Sequence, residues 1–361
     1  MVLTSLRIPN QLISALALLL AAATVLAEQK PGQDVAAACA HCHESQAHMQ
    51  PLTAMGRALQ LPGTDPSLNS QPRLTFQKFG YSYVVETRNG QSTYSVSDGT
   101  QTVTLPIRWI FGSGAQTWVF EREGVYYESL VSYYPSLGGL GITIGDSEIT
   151  PKTLDQAVGR RLPPNEPVAC FGCHSTNATK EGQLLTLASL EPGVTCEHCH
   201  VGATSHMVSA FQGSGMETAP PSLRKLTSED LSDFCGQCHR TWETVVRGPA
   251  RGEPTVRFAP YRLANSKCFS GTDPRISCIA CHDPHKNLVT ESASYDDKCL
   301  ACHALKGASA AANSHATAKA CLVQKNNCTT CHMPEVKLAD GQATFHDHQI
   351  RIVTPGMPYP D

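Results

Sequence analysis

The sequence predicts a fold of short helices and loops with little side-chain core of its own, interrupted by one strand-rich insertion. The composition supports this, because the 361 residues include 16 cysteines and 15 histidines, whereas aromatic residues make up only 6% and charged residues 16%. Strand and hairpin patterns are confined to one interval between the first and second cysteine pairs. A group other than side chains is therefore expected to fill much of the interior.

Fourteen of the cysteines fall in seven copies of the motif Cys-x-x-Cys-His, numbered here motifs 1–7 in chain order. Two thiols at this spacing reach the two vinyl groups on one edge of a haem, and the next residue turns its imidazole under the iron. Zinc ribbons and disulfide frameworks also use such cysteine pairs, but neither requires the histidine that follows each pair. The sequence thus predicts seven covalently attached haem c groups, with attachment residues Cys39, Cys42, Cys170, Cys173, Cys196, Cys199, Cys235, Cys238, Cys278, Cys281, Cys299, Cys302, Cys328 and Cys331 and first iron ligands His43, His174, His200, His239, His282, His303 and His332.

Eight histidines remain as sources of the second iron ligands. His41 and His198 each stand between the two cysteines of a motif, where they cannot cross to the far face of the same haem. We expect these two at the surface or in packing contacts. The candidates for second ligands are the other six, because histidine is the commonest haem ligand: His48, His206, His285, His315, His346 and His348.

The position of His285 limits which iron it can bind. It follows His282 by three residues, and such a stretch spans at most ~10 Å, too little to pass round the macrocycle. His285 is therefore expected to bind a neighbouring haem. The same argument applies to His206, which follows His200 closely, and ligands shared in this way would bring haems into close contact.

Six candidate histidines leave at least one of the seven irons without a second histidine. Met55 is a candidate for that position, because thioether sulfur is an established axial ligand that raises the reduction potential. The alternative is an iron with an open or water-bound face, which would be a candidate catalytic centre. The sequence leaves both alternatives open and does not indicate which haem is concerned.

Two cysteines, Cys268 and Cys321, fit no motif. An exported chain rarely keeps two idle thiols, so we expect a disulfide between them. The bond would tie the segment before motif 5 to the segment before motif 7. Two unpaired buried thiols are the alternative.

The chain divides into four predicted parts. Residues 1–27 contain Arg7, an apolar run shorter than the ~20 residues of a membrane span and a small-residue ending, as expected for a cleaved signal peptide. A retained N-terminal anchor is the alternative. Residues 28–72 form a first haem-binding segment, 73–150 a β-rich insertion and 151–361 a six-haem region. We expect export to the periplasm of a bacterium, with no transmembrane segment in the mature chain.

The insertion is predicted from its tyrosines, tryptophans and turns. Residues 73–134 hold seven of the ten tyrosines and two of the three tryptophans. Alternating runs such as those at 81–85 and 117–120 are broken by Asn89-Gly90 and Glu123-Gly124. This pattern is typical of antiparallel strands joined by tight hairpins.

Outside the insertion the motif spacings are short and no long amphipathic period is present. Short helices and loops that wrap a large apolar cofactor account for this pattern. Two stretches predict helices: residues 227–233, where Thr227 and Asp230 make a capping start, and residues 308–319.

Several segments match a known group of proteins. They are Gly193-Val194-Thr195-Cys196-Glu197 with His206, Arg257-Phe258-x-Pro260-Tyr261-Arg262, Cys281-His282-Asp283-Pro284-His285, Cys331-His332-Met333-Pro334 and Phe345-x-Asp347-His348. They resemble bacterial multihaem cytochromes c of the group related to the tetrahaem electron carriers of nitrifiers, which often carry tetratricopeptide repeats.

That resemblance covers most of the mature chain. It implies a multihaem cytochrome c fold, in which short helices and loops pack around stacked haems with a β-rich insertion between motifs 1 and 2. It also implies that His206, His285 and His348 are second iron ligands. The sequence departs from the group because no helical repeat array precedes Asp361, and it lacks the Cys-x-x-Cys-Lys site of pentahaem nitrite reductases.

The resulting functional expectation is a periplasmic electron carrier that passes single electrons between redox proteins, with a membrane-associated protein as a candidate donor. A net charge of −3 and a pI near 6.6 argue against a nucleic-acid partner. One alternative is an oxidoreductase that acts on a small nitrogen or sulfur compound at an open-faced haem. Another is a charge-relaying subunit of a larger assembly, docked through the insertion.

Overall fold

The computed structural model describes residues 37–180, 184–303, 321, 323–338, 343–354, 356, 357, 359 and 360. The predicted signal peptide and the predicted helix at 308–319 lie outside these residues. Within the described ranges no helix has both the length and the apolar character needed to cross a bilayer.

The helices are short, as the sequence predicts, and several of them contain a cysteine motif. The α-helices are α1 (Glu44–Met49), α2 (Pro66–Asn69), α3 (Leu154–Val158), α4 (Glu166–His174), α5 (Cys196–Cys199), α6 (Ala203–Phe211), α7 (Ser228–His239), α8 (Trp242–Arg247), α9 (Ala259–Ala264), α10 (Cys278–Cys281), α11 (Asp296–His303) and α12 (Cys328–His332). Single 3-10 turns lie at Gln50–Leu52, Pro62–Thr64, Leu187–Ser189, Gly215–Thr218, Leu223–Lys225, Glu253–Arg257 and Ser292–Tyr295.

The strands concentrate in the predicted insertion and pair antiparallel. They are β1 (Leu59–Gln60), β2 (Arg73–Lys78), β3 (Tyr81–Arg88), β4 (Gln91–Ser97), β5 (Thr102–Ile107), β6 (Trp109–Phe111), β7 (Thr117–Arg122), β8 (Val125–Ser129), β9 (Val131–Tyr134), β10 (Gly139–Ile142), β11 (Gly159–Arg161), β12 (Ser175–Thr176), β13 (Thr179–Lys180), β14 (Leu184–Leu185), β15 (Glu191–Pro192), β16 (Glu335–Lys337) and β17 (Thr344–His346). One sheet has the order β2-β3-β4-β5 and another the order β1-β6-β7-β8-β11, with two-stranded pairs β9–β10, β12–β15, β13–β14 and β16–β17.

The two predicted hairpin turns are confirmed. Asn89 and Gly90 join β3 to β4 with φ angles of 53° and 72°, and Glu123 and Gly124 join β7 to β8 with 52° and 75°. Two successive positive φ angles are the signature of a type I′ turn, whose twist matches that of the flanking strands.

The two larger sheets share one apolar core. Buried residues alternate along β3 and β4, because successive side chains of a strand point to opposite faces of the sheet. From these faces the ring of Tyr94 packs 5.2 Å from Phe120 and 5.5 Å from Trp118, measured between centroids. The insertion therefore has a side-chain core of its own.

The other face of the five-stranded sheet holds motif 2. Phe171, which lies between the two motif cysteines on α4, is fully buried. Its ring lies 5.1 Å from Trp109 and 5.0 Å from Phe111, both edge to face. The sheet thus fixes the helix that carries Cys170, Cys173 and His174.

Beyond motif 3 the balance of apolar side chains is different. Few of the described apolar side chains are buried there, among them Leu231, Val245 and Leu263. The side chains of Phe211, Trp242 and Leu288 are 50–66% exposed. Large exposed apolar side chains beside the cysteine motifs are what a bound macrocycle would cover. This part of the chain has the character expected of a fold completed by a cofactor.

The helix predicted at residues 227–233 is confirmed and continues to the end of motif 4. The Thr227 hydroxyl accepts a hydrogen bond from the Asp230 backbone N–H at 3.1 Å, which caps α7. The twelve residues of α7 end at His239, so the cap fixes the start of the helix that presents motif 4.

The predicted disulfide between Cys268 and Cys321 is wrong for this structure, in which both thiols are free. Cys268 is half-buried, and burial together with nearby Cys302 and Cys299 of motif 6 raises the pKa of its thiol. Cys321 is exposed, and its sulfur accepts a hydrogen bond from the Gln324 backbone N–H at 3.5 Å. The two residues lie in different surroundings, which sequence position alone does not reveal.

Candidate functional site

A helical turn gives the motifs their shared shape. The motif histidine donates its backbone N–H to the carbonyl of the first cysteine at 2.8 Å in His43, His200 and His282. Residues three apart in a helical turn lie on the same face. Both thiols of a motif therefore face one side, as attachment to a single haem edge requires.

Three of the motif histidines each lie opposite a second histidine from elsewhere in the chain. The ring centroids of His43 and His206 are 6.4 Å apart. Those of His200 and His285 are 6.2 Å apart and nearly parallel, at 5°. The third pair, His282 and His348, also has a separation of 6.2 Å.

These separations suit a metal ion between the rings. A metal lies about 2 Å from an imidazole nitrogen, which itself lies about 1 Å from its ring centre, so two rings on one metal have centres roughly 6 Å apart. Direct contact between stacked rings would bring the centres closer. The donor set and its spacing therefore fit a six-coordinate haem iron with an imidazole on each face.

Hydrogen bonds at the other ring nitrogen orient several of these histidines. The Nδ1 atoms of His206, His348 and His174 lie 2.8 Å, 3.0 Å and 2.9 Å from the carbonyl oxygens of Gly215, His346 and Ala58. A carbonyl oxygen only accepts, so Nδ1 carries the proton and Nε2 keeps the lone pair that a metal needs.

Burial keeps this lone pair available at neutral pH. It lowers the pKa of His174, of His239 and of His282. Burial and nearby His282 lower the pKa of His348 to about 4. Imidazole binds metals in its neutral form, so these side chains are in the correct state to be ligands.

Cysteine thiols of different motifs are close neighbours. They join motif 1 to motif 3, motif 2 to motif 4, motif 4 to motif 5 and motif 6 to motif 7, through the pairs Cys39 and Cys196, Cys173 and Cys238, Cys235 and Cys278, and Cys299 and Cys328. These contacts are not disulfides, because all the thiols are free.

Two further contacts link motif 3 to motif 4 and motif 5 to motif 6. The pKa of Cys235 is raised by its hydrogen bond to Cys278, by burial and by nearby Cys199 of motif 3. Burial and nearby Cys299 raise the pKa of Cys281, which places motif 5 beside motif 6. The motifs follow one another in space as 1, 3, 4, 5, 6 and 7, with motif 2 beside motif 4. We call this order the attachment series.

Part of the chain is similar to known proteins. Residues 150–201, which include motifs 2 and 3, match the family model described as cytochrome c554 and c-prime. That match supports a c-type cytochrome with covalently bound haem. No curated protein matches the chain. A crystal structure of the outer cell wall cytochrome OcwA aligns with 14% identity and a TM-score of 0.49, over 89% of this chain and 81% of that one.

The other candidate ligands are not brought into such ring pairs in the described part of the chain. His48 lies exposed on α1 and Met55 is half-buried nearby. His346 directs Nδ1 at the Met333 carbonyl at 3.1 Å, and its Nε2 lies 3.5 Å from a Glu335 carboxylate oxygen. His315 lies outside the described residues.

The two histidines inside attachment loops lie away from the ring pairs, at the surface or in packing contacts. His41 is exposed, with its ring centroid 6.0 Å from that of Phe211. His198 is half-buried and hydrogen-bonds to the backbone of Ser175. The sequence reasoning missed the contacts between motifs, because spacing along the chain does not indicate which motifs meet.

A close backbone approach fixes motif 1 against motif 3. Gly193, three residues before Cys196, has φ of 79°, and a Cβ there would collide with the carbonyl oxygen of Gly56. The Val194 N–H donates to the Met55 carbonyl at 3.0 Å in the same contact. Only glycine combines this φ with this lack of space.

Gly193→Ala is therefore expected to lower the free energy of unfolding by about 2–5 kcal/mol, the sum of left-handed strain and overpacking. Urea unfolding followed by circular dichroism measures the loss. Gly202→Ala is the matched control, because Gly202 has φ of 86° but a Cβ there meets no described atom within 4 Å. Equal losses in the two variants would show that the contact with Gly56 contributes nothing.

Proposed function

We propose that the protein is an exported heptahaem c-type cytochrome that carries single electrons between redox partners in the periplasm. The observation that supports this most strongly is the three imidazole pairs at iron-spanning separation, each built from a motif histidine and a histidine beyond a different motif. When bound, haem supplies a centre that accepts and releases one electron. The chain supplies position, ligands and surroundings.

The proposed second ligands link motifs that are distant in sequence. His206, which follows motif 3, serves the motif 1 site, and His285, which follows motif 5, serves the motif 3 site. His348, which follows motif 7, serves the motif 5 site. Each linked site therefore depends on a segment beyond its own motif, so these sites are expected to form together.

Two imidazoles holding one haem iron would favour electron transfer over substrate binding, because the chain would then supply both strong ligands and leave no place for a substrate. The buried, neutral state of His348 and His282 supports strong ligation on both faces. For the motif 1, 3 and 5 sites the proposal is therefore low-spin haem that changes charge without changing ligands. Such a site needs little rearrangement when an electron arrives or leaves.

The attachment series supports movement of charge through the molecule. Each motif in it has thiols beside those of the next motif, so covalently attached groups would be neighbours along the whole series. Motifs 1 and 7 are its ends, and motif 2 lies to one side, beside motifs 3 and 4. An electron delivered by a redox partner at one end of the series would pass from haem to haem and leave to a second partner at the other end.

The count of seven haems is tested by mass spectrometry of protein matured in a bacterial host that attaches haem c. The expected intact mass exceeds that of the processed polypeptide by seven haems. The double variant Cys170→Ala/Cys173→Ala is expected to lose one haem, whereas Cys268→Ala is expected to lose none. Zinc in place of haem, or an unmodified polypeptide, would contradict the proposal.

A further inference from the structure

Two segments far apart in sequence meet through a fully buried ion pair. Arg262 lies on α9 and Asp347 follows β17, and the exposed fraction of both side chains is 0%. Arg262 Nε donates to Asp347 Oδ1 at 2.9 Å, and Nη2 donates to Oδ2 at 2.9 Å. This two-point geometry fixes the orientation of both planar groups.

The remaining polar atoms of the pair also have partners. Arg262 Nη1 donates to the Pro360 carbonyl at 2.9 Å. Asp347 accepts further hydrogen bonds from Arg351 Nη1 and from the Gln349 backbone N–H. The ring of Tyr359 lies 4.7 Å from the Arg262 guanidinium. We call Arg262, Asp347, Arg351 and Tyr359 the arginine latch.

Stability alone is a weak reason for such a cluster. Taking two charges out of water costs several kcal/mol, and apolar residues of similar volume often stabilise a protein as well or better. A buried, fully bonded ion pair does provide a single defined geometry.

The residue after Asp347 is His348. Ser266, just beyond α9, donates its hydroxyl to the His348 carbonyl at 3.1 Å and accepts from the Ile350 N–H at 2.8 Å. The His348 ring is fixed in turn by its Nδ1 contact with the His346 carbonyl. The residue before His348 is therefore bonded to α9 through Arg262, and the carbonyl of His348 is bonded to Ser266 just beyond α9.

We propose that the arginine latch positions His348 as the second ligand of the motif 5 site, so that Arg262 and Asp347 act on that iron without touching it. This inference rests on the assignment of His348 in the proposed function. Metal sites require their ligands within about 0.5 Å of the correct position. The segment around His348 pairs locally in the two-stranded β16–β17 sheet and bonds to the end of motif 7 through Asp347 N–H to the Pro334 carbonyl. Contacts with α9 and Ser266 add the support on its other side.

Asp347→Asn is the direct test. The amide keeps the shape of the side chain, but it removes the charge and one acceptor, so Arg262 is left buried without its counter-charge. We expect a new high-spin signal in the oxidised protein that corresponds to one iron at most and is clearly above that of the unchanged protein. We also expect the reduced protein to gain carbon monoxide binding, to at most one equivalent. Electron paramagnetic resonance and carbon monoxide titration measure the two effects.

Two further variants separate positioning from general destabilisation. Arg262→Lys keeps the charge but loses the two-point fork, so we expect a smaller high-spin fraction of the same signal. Leu263→Ala removes a buried apolar side chain from the same helix and is expected to lower stability without changing any spin state. A high-spin signal of equal size in Leu263→Ala would show that the latch is merely structural.

His348→Ala distinguishes the failure of this inference from failure of the proposed function. If it gives a high-spin signal and Asp347→Asn does not, the ligand assignment stands and the positioning role is overturned. If His348→Ala adds no high-spin signal to that of the unchanged protein, the assignment itself fails. Matching signals in His348→Ala and Asp347→Asn, with none in Leu263→Ala, support the inference.

Discussion

Replacing His285 with alanine is expected to convert one of the seven irons to high-spin while all seven haems stay attached. The ring of His285 lies 6.2 Å from that of His200 and parallel to it within 5°, a separation that fits the proposed pair of ligands on one metal. Removing one imidazole leaves a single strong ligand and an open face. Electron paramagnetic resonance of the oxidised protein measures the new signal, and added imidazole is expected to abolish it.

The matched control is His198→Ala, in the same motif as His200. His198 is half-buried and bonded to the backbone of Ser175, so its loss removes an imidazole from motif 3 without removing a proposed ligand. No spin change is expected. A high-spin signal in this variant and none in His285→Ala would reverse the assignment.

A methionine at position 285 provides a second readout of the same site. Thioether ligation raises the reduction potential, and we expect one haem to shift upward by on the order of a tenth of the ~0.8 V range that axial ligands span. Spectroscopic redox titration measures the shift. A uniform shift of all seven haems would indicate a general structural change instead of a change of ligand.

The sequence predicts the residue types of the site but not which of them meet across the fold. The motifs predict the attachment cysteines and the first ligands, and chain reach predicts that His285 does not serve the haem of the His282 motif. Reach sets a maximum distance but gives no direction, so it does not identify His200 as the partner. That pairing depends on how the segments around motifs 3 and 5 pack, which no local pattern encodes.

The fold shows the same division between local and distant features. Alternation and turn residues predict the strands and the hairpins at Asn89-Gly90 and Glu123-Gly124, because both signals arise from neighbouring residues. The packing of Phe171 against Trp109 joins residues far apart in the chain and was not foreseen. The ion pair of Arg262 and Asp347 was missed for the same reason, although both residues lie in segments that the resemblance singles out.

Motif 4 is expected to be the point at which the attachment series is most easily interrupted. Its Cys235 lies beside Cys278 of motif 5, its Cys238 lies beside Cys173 of motif 2, and Cys199 of motif 3 lies near both. The double variant Cys235→Ala/Cys238→Ala removes this site. We expect electron transfer between the motif 1 and motif 7 ends to slow by one or more orders of magnitude.

An exposed thiol allows electrons to be delivered at one end. Cys321 stands seven residues before Cys328 of motif 7, and the backbone N–H of Gln324 lowers the pKa of its thiol, which favours the reactive thiolate. A ruthenium photosensitiser attached there, in a Cys268→Ala background, injects an electron on a flash. His206→Met gives the motif 1 site a higher potential and a distinct absorption, so it serves as the detector.

Motif 2 supplies the control that makes this measurement decisive. Motif 2 lies beside motifs 3 and 4, but Cys199 of motif 3 also neighbours Cys235 of motif 4 directly. Cys170→Ala/Cys173→Ala therefore also removes one haem but leaves every thiol neighbour in the series from motif 1 to motif 7 in place. We expect the flash-induced reduction of the motif 1 site to keep its rate in this variant. If losing motif 2 slows the transfer as much as losing motif 4, the two sites are equivalent and the order derived from the thiol contacts is wrong.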